Sequence, residues 1–164
     1  FSIQVKNQSK IIMDRIGDIM NASILTDRHF YQFLLKAKQY TYAGEGALTP
    51  ACRPGSIDLS YEEGAFRYLD SYLGGHHFIG EEIVWYNGKV VWGMNYYGRL
   101  LIEKAPSGFA SFLKASLIQV PEEMPYRGPE EFICEEYCYA CQVEGELPYY
   151  RGKEMIFFKG QKIH

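Results

Sequence analysis

The chain has 164 residues, enough for one domain with a sizeable core rather than for two. Hydrophobic residues reach 47% and aromatic residues 16%, led by 14 Tyr and 10 Phe, which excludes a disordered chain and points to apolar faces rimmed by hydroxyls. A net charge of −3 supplies no basic field for nucleic acid, and no apolar run nears the roughly 18 residues of a membrane helix.

No signal-peptide pattern opens the sequence, so a reducing, cytoplasmic setting is expected. The first residue is Phe rather than Met, which reads as a fragment, a processed chain or a trimmed terminus. Residues 9–21 read as an amphipathic helix capped by Ser9, with Ile12, Ile16, Ile19 and Met20 at helical spacing. As part of an N-terminal helical extension over 1–27, it would dock on the domain, link to something upstream, or pair with a second copy in a homodimer. Residues 28–164 read as a single α+β domain. Its first helix is expected from about Arg28 to Tyr40, capped by Thr26 or Asp27, with Phe30, Phe33, Leu34 and Ala37 as the apolar stripe.

From Ala43 to Gly64 the glycines and prolines break any periodicity, and a loop of that length is more often functional than connective. It carries Arg53, Asp58 and a brief edge strand over Ile57–Tyr61. Ala65–Tyr72 alternates as a strand with Phe66, Tyr68, Asp70 and Tyr72 on one face, turning at Gly74-Gly75. The next stretch, Phe78–Gly98, is a hairpin: two runs rich in Val, Ile, Trp and Tyr joined by Asn87-Gly88, whose residues accept the positive φ of a type I′ turn. A two-residue turn then pairs Tyr86 with Lys89, Val84 with Val91, Glu82 with Gly93 and Gly80 with Asn95. On the other face Trp85 meets Val90, Ile83 meets Trp92, Glu81 meets Met94 and Ile79 meets Tyr96. That second face is the more apolar, so it is the one expected to pack against helices. The register with the preceding strand stays open: a bare Gly74-Gly75 loop puts Asp70 and Tyr68 on the same face as Ile79 and Glu81, and one extra residue moves them beside Glu82 instead.

A further helix is expected over Ser107–Leu117 between Pro106 and Pro121, then a rigid turn at Pro125–Pro129 presenting Arg127. Strands follow over Phe132–Glu144 and Tyr149–Phe158. Cys134, Cys138 and Cys141 fall in the first of these, with Cys52 apart. The C-x3-C-x2-C spacing evokes zinc, but structural zinc sites use separated pairs on knuckle turns, and here Cys134 and Cys138 would share one face of a strand. Reduced thiols filling half-buried positions are the simpler reading, and no metal or cofactor is called for.

The last strand echoes the first strand of the hairpin. Gly80–Gly88 aligns without a gap on Gly152–Gly160, and Phe66-Arg67-Tyr68 is echoed by Tyr137-Cys138-Tyr139. Two readings stand. Hairpin-opening strands resemble one another by chance, or a helix-plus-meander unit is duplicated into one antiparallel sheet or open barrel with helices packed on it. Under duplication Glu82 matches Glu154, whereas Glu81 is replaced by Lys153.

The run RPGSIDLSYEEGAFRYLDSYLGGHHFIGEEIVWYNGKVVWGMNYYG (Arg53–Gly98) carries a family resemblance. TYAGEG precedes it, and FLKASL and PYRGP follow. Together they resemble a bacterial domain of unknown function often found C-terminal to an XRE-type helix-turn-helix domain. The resemblance implies a bacterial, cytoplasmic setting and, in some relatives, the sensing half of a transcription regulator. It brings no catalytic residues. Residues 1–27 are too short for a helix-turn-helix domain, which counts against a DNA-binding role for this chain.

For function, the polar-aromatic crowd in the central motif points to a small-molecule binding module. Glu82, Asp70, Tyr72, Asn95, Tyr97, Glu81, Arg53 and Arg127 are its candidate ligand-binding residues. The alternatives are a hydrolase using Asp70 with Glu82 or Glu81 as acid and base, and an interaction or oligomerisation module using the Ile12–Met20 stripe. No nucleophile elbow, phosphate loop or metal-binding His pair is present.

Overall fold

The computed structural model describes residues 23–43, 48–125 and 128–164, with the backbone alone at 42 and 43. The helix expected over residues 9–21 and the side chain of Arg127 lie outside the described residues. Helix α1 (Arg28–Ala43) begins where the Asp27 carboxylate accepts the backbone N–H of His29 at 2.9 Å, so Asp27 is the cap. Phe30, Phe33, Leu34 and Ala37 are buried as their spacing requires. Lys38 and Thr41 continue the same stripe and are buried too.

Five antiparallel strands follow in simple order: β1 (Leu48–Thr49), β2 (Ile57–Glu63), β3 (Phe66–Gly74), β4 (His77–Tyr86) and β5 (Lys89–Arg99). Helix α2 (Phe109–Ile118) leads to a second sheet of β6 (Glu131–Cys134), β7 (Tyr137–Glu146), β8 (Tyr149–Phe158) and β9 (Gln161–Lys162). The fold is therefore α+β with two antiparallel meanders, each packed against its own helix, and neither sheet closes into a barrel.

Asn87 (φ 48°) and Gly88 (φ 76°) do form the turn, and Tyr86↔Lys89 and Trp85↔Val90 pair as the turn requires. A bulge then places Val91 between pairs, so Val84 faces Trp92, Glu82 faces Met94 and Glu81 faces Asn95. The expected pairing is thus displaced by one residue beyond the bulge, which moves the rest of β5 to the opposite face. Trp92 and Met94 join Glu82 and Val84 under α1, while Ile79, Ile83 and Trp85 face away. The more apolar face of β4 is the outer one, the reverse of the expectation.

At the β3–β4 turn, Gly74 has φ 92°, and a Cβ there would come within 2.1 Å of the His77 carbonyl oxygen, so only glycine closes it. The loop carries the extra residue, and Asp70 pairs directly with Glu82. Residues 135 and 136 form a tight turn with Glu135 at φ 53°, splitting the expected single strand into β6 and β7. Cys134 therefore pairs with Tyr137, and Cys138 pairs with Ile133, so the two thiols do not share a face. All four cysteines are free thiols.

The two meanders share several contacts at matching places. Phe33 stacks on Phe66 at 4.9 Å and Phe66 meets Tyr86 at 4.7 Å, while Phe112 stacks on Tyr137 and Tyr137 meets Phe158, both at 4.7 Å. Tyr68 and Val84 occupy the centre of one core, Tyr139 and Ile156 the centre of the other. Lys159 and Gly160 adopt the same positive φ as Asn87 and Gly88. The halves also interlock: Leu147, between β7 and β8, is buried in the first core, and its carbonyl accepts the Trp92 indole N–H at 3.1 Å. Ile163 returns to accept the Leu101 backbone N–H at 2.8 Å, and His164 stacks on Phe78.

Candidate functional site

The inner face of the first sheet carries charge into the core. Lys38 and Glu82 are both fully enclosed, with the ammonium 2.5 Å from Glu82 Oε2. Two facts put them there. Lys38 lies one turn beyond Leu34 on the stripe α1 presents to the sheet, and Glu82 lies between Gly80 and Val84, all three buried on β4. On β3, Asp70 faces Glu82 and is 4% exposed. Its Oδ1 accepts the Tyr96 hydroxyl at 2.6 Å.

Tyr96 reaches Asp70 from β5 by lying across Gly80 on the intervening strand. A Cβ at Gly80 would approach the Tyr96 ring to 2.4 Å, so the absence of a side chain there lets the ring settle onto the sheet. Two carboxylates opposed on neighbouring strands repel, and the Lys38 ammonium and the Tyr96 hydroxyl offset that repulsion in a dry environment. Tyr72, half-buried at the rim of this seam, has its phenol pushed above the ordinary value by burial and by the Asp70 carboxylate.

The outer face holds a second, separate network. Asp58 is buried and accepts from the Cys52 backbone N–H at 2.8 Å and from the Ser71 hydroxyl at 2.7 Å. Burial pushes its carboxyl up, but the donors from Cys52, Ser56 and Ser71 together outweigh burial and hold it well below the usual carboxylate range. Arg53 donates to the Ser71 carbonyl at 2.7 Å and lies 3.8 Å from Glu81. These bonds pin the 52–56 turn across β2 and β3.

The candidate residues therefore divide between the two sides of one sheet. Glu82, Asp70 and Tyr72 gather inside. Arg53 and Glu81 gather outside, with Asn95 exposed beside Glu81 and Tyr97 exposed further along β5. Of the two carboxylates in the hairpin, Glu82 is the buried one, and Glu81 is half-buried. Lys38 and Tyr96 were missed. A lysine in register with an apolar helical stripe was the available signal for the first. The bulge hid the second, because the unbulged pairing puts Tyr96 on the outer face.

Two open depressions flank the β2–β3 turn. One of about 430 Å³ has Phe33, Phe66 and Tyr86 in its lining, with the Lys36–Glu63 ion pair at 2.8 Å on its rim. The other, of about 320 Å³, is lined in part by Trp85 and Arg67, whose guanidinium carbon lies 5.5 Å from the indole centroid. Neither reaches Asp70 or Glu82. Among the described residues no group of three or more His, Cys, Asp and Glu side chains is arranged to hold a metal, and no helix is long and apolar enough to cross a membrane.

A family described as a domain of unknown function, DUF5680, matches residues 70–164. The matched span opens on Asp70 and includes Glu82 and Tyr96, with α1 and Lys38 lying before it. No curated protein and no solved structure matches the chain.

Proposed function

The chain belongs to the DUF5680 family, and from that premise we propose that it is an effector-binding module. It would recognise a small polar molecule at the Asp70 end of the inner sheet face. The observation that supports this reading is the pair of opposed carboxylates, Asp70 and Glu82, set inside an aromatic surface, with Glu82 on the Lys38 ammonium and Asp70 on the Tyr96 hydroxyl. Buried ionisable groups cost stability relative to apolar packing of equal volume, so a fold that keeps four polar side chains there has a use for them. Glu82 and Lys38 form the closed back of the site. Asp70 and Tyr96 form its working front, and Tyr72 its rim. A ligand carrying an amine or several hydroxyls suits an acidic front of this kind, with Tyr72 offering a ring to stack on.

In keeping with the family resemblance of the central motif, the module belongs to a bacterial cytoplasm and to the sensing side of regulation. The correspondence of the two meanders is read as a duplication. Leu117 then stands where Lys38 does, Cys141 where Asp70 does, and Glu154 where Glu82 does, so only the first half keeps the polar set.

Thermal-shift titration with amines, amino sugars and nucleosides tests the binding reading. A ligand that raises the melting temperature of the parent, and does nothing for a folded Asp70→Asn variant, supports it by linkage. A ligand-induced shift retained in Asp70→Asn defeats it. A second reading, hydrolysis by the carboxylate pair, draws on the direct opposition of Asp70 and Glu82 alone. It requires turnover that Glu82→Gln abolishes while substrate binding persists.

A further inference from the structure

The turn between β3 and β4 brings together two side chains that an extended chain keeps apart. His76 and His77 are adjacent, and neighbouring side chains on a strand point to opposite faces, so the sequence offers no metal-binding pair there. In the structure the two rings converge. Their Nδ1 atoms lie 3.5 Å apart and their ring centroids 5.0 Å apart, so the nitrogens are the facing edges. Backbone bonds hold the turn in this shape. The Leu100 N–H donates to the His76 carbonyl at 2.9 Å, and the Gly75 N–H donates to the His77 carbonyl at 3.0 Å.

The far nitrogen of His76 is also held. Its Nε2 lies 2.8 Å from the Ile102 carbonyl oxygen. A carbonyl only accepts, so Nε2 carries the proton, and in the neutral ring Nδ1 keeps a lone pair directed at His77. A backbone carbonyl that takes the outer N–H of a histidine, fixing its tautomer and ring orientation, is the support that metal ligands use. The other two of the four histidines are not presented in this way: His29 Nδ1 lies on the Asp27 carboxylate at 2.8 Å and His164 Nδ1 on the Arg99 carbonyl at 2.9 Å.

We propose that His76 and His77 form a zinc site, holding one Zn(II) between their Nδ1 atoms, with water or an outside donor in the remaining positions. Spacing selects the ion. With bonds of about 2.0–2.1 Å, nitrogens 3.5 Å apart subtend about 115–120° at the metal. That is near the roughly 109° of a tetrahedral centre and far from the ~90° or ~180° of a square-planar one, so it fits Zn(II) rather than Cu(II). Imidazole nitrogen likewise disfavours Mg²⁺ and Ca²⁺, which take oxygen ligands. The contact between the two nitrogens is long for a hydrogen bond, and it uses a proton on His77 Nδ1. On zinc binding that proton moves through solvent to the exposed His77 Nε2, and both Nδ1 lone pairs go to the ion. Arg99 faces His77 across the strand pair, and its cation opposes the bound dication.

The test is calorimetric titration of the untagged chain with zinc chloride, with the thiols kept reduced. The parent should bind one zinc per chain, and zinc X-ray absorption should show two imidazole ligands. His76→Ala and His77→Ala should each weaken binding by roughly tenfold or more. Both positions are exposed, so circular dichroism melts should show the fold intact. His29→Ala should bind as the parent does, and Arg99→Gln should bind roughly three- to tenfold tighter. A parent that takes up no zinc at millimolar concentration overturns the proposal. So does binding that survives removal of both histidines, or binding that alkylation of the thiols abolishes, which would assign an adventitious ion to the exposed Cys52 or Cys134.

Discussion

Replacing Lys38 by Met, or Glu82 by Leu, probes the buried ion pair between α1 and β4. Both side chains are fully enclosed and 2.5 Å apart, so removing either charge leaves the other in the core without its counter-ion. Breaking a buried pair in this way costs about 3–5 kcal/mol. In a domain of this size each kcal/mol corresponds to about 2–4 °C. Each single variant should therefore melt roughly 6–20 °C below the parent. The double variant Lys38→Met/Glu82→Leu removes both desolvation penalties and restores apolar packing, so it should return to within about 1 kcal/mol of the parent or exceed it. Urea denaturation at pH 7 of all four proteins closes the thermodynamic cycle. Single variants within 1 kcal/mol of the parent would show that water reaches the pair in solution. Additive losses in the double variant would show that the two residues are not coupled. Either result removes the dry interior on which the proposed site depends.

Tyr96→Phe removes a donor to a nearly buried carboxylate and should cost about 1.5–3 kcal/mol in urea. Gly80→Ala should cost about 1–3 kcal/mol by driving the Tyr96 ring off the sheet. In a Tyr96→Phe background that cost should shrink, because the ring is no longer held to Asp70; equal costs in both backgrounds would refute the coupling. Asp58 titrates well below an ordinary carboxyl when folded. Its contribution to stability is therefore complete above the unfolded-state value near pH 4 and is lost as pH falls through the depressed folded value. Asp58→Asn should be less stable than the parent at pH 7 and show a shallower loss on acidification, measured by urea midpoints from pH 7 to pH 2. An acid limb as steep as the parent's would exclude Asp58 as its source.

Much of this architecture was legible in the residues. The stripe of Phe30, Phe33, Leu34 and Ala37, the turn at Asn87-Gly88 and the echo between Gly80–Gly88 and Gly152–Gly160 all depend on local rules: helical periodicity, positive φ and short-range pairing. Those rules placed α1, α2, the β3–β4–β5 meander and β8 close to where they stand. They also singled out Asp70 and Glu82 as residues to watch.

Local rules could not decide which side of the sheet faces the core. Side chains alternate with a period of two, so the single residue absorbed at Val91 reverses every later assignment on β5, and nothing in VVWGMNYYG marks the bulge. The apolar content of Ile79, Ile83 and Trp85 argued for burial. Helix α1 covers the other face, because Trp92, Phe66 and Tyr68 meet Phe30 and Phe33 there. Lys38 was unreadable as a partner of Glu82 for a related reason. The two are 44 residues apart, and only the docking of a helix on a sheet brings an ammonium to a carboxylate at that separation. Sequence thus determined the elements and the turns, which depend on neighbours along the chain. Tertiary packing decided face, register and charge pairing, which depend on neighbours across space.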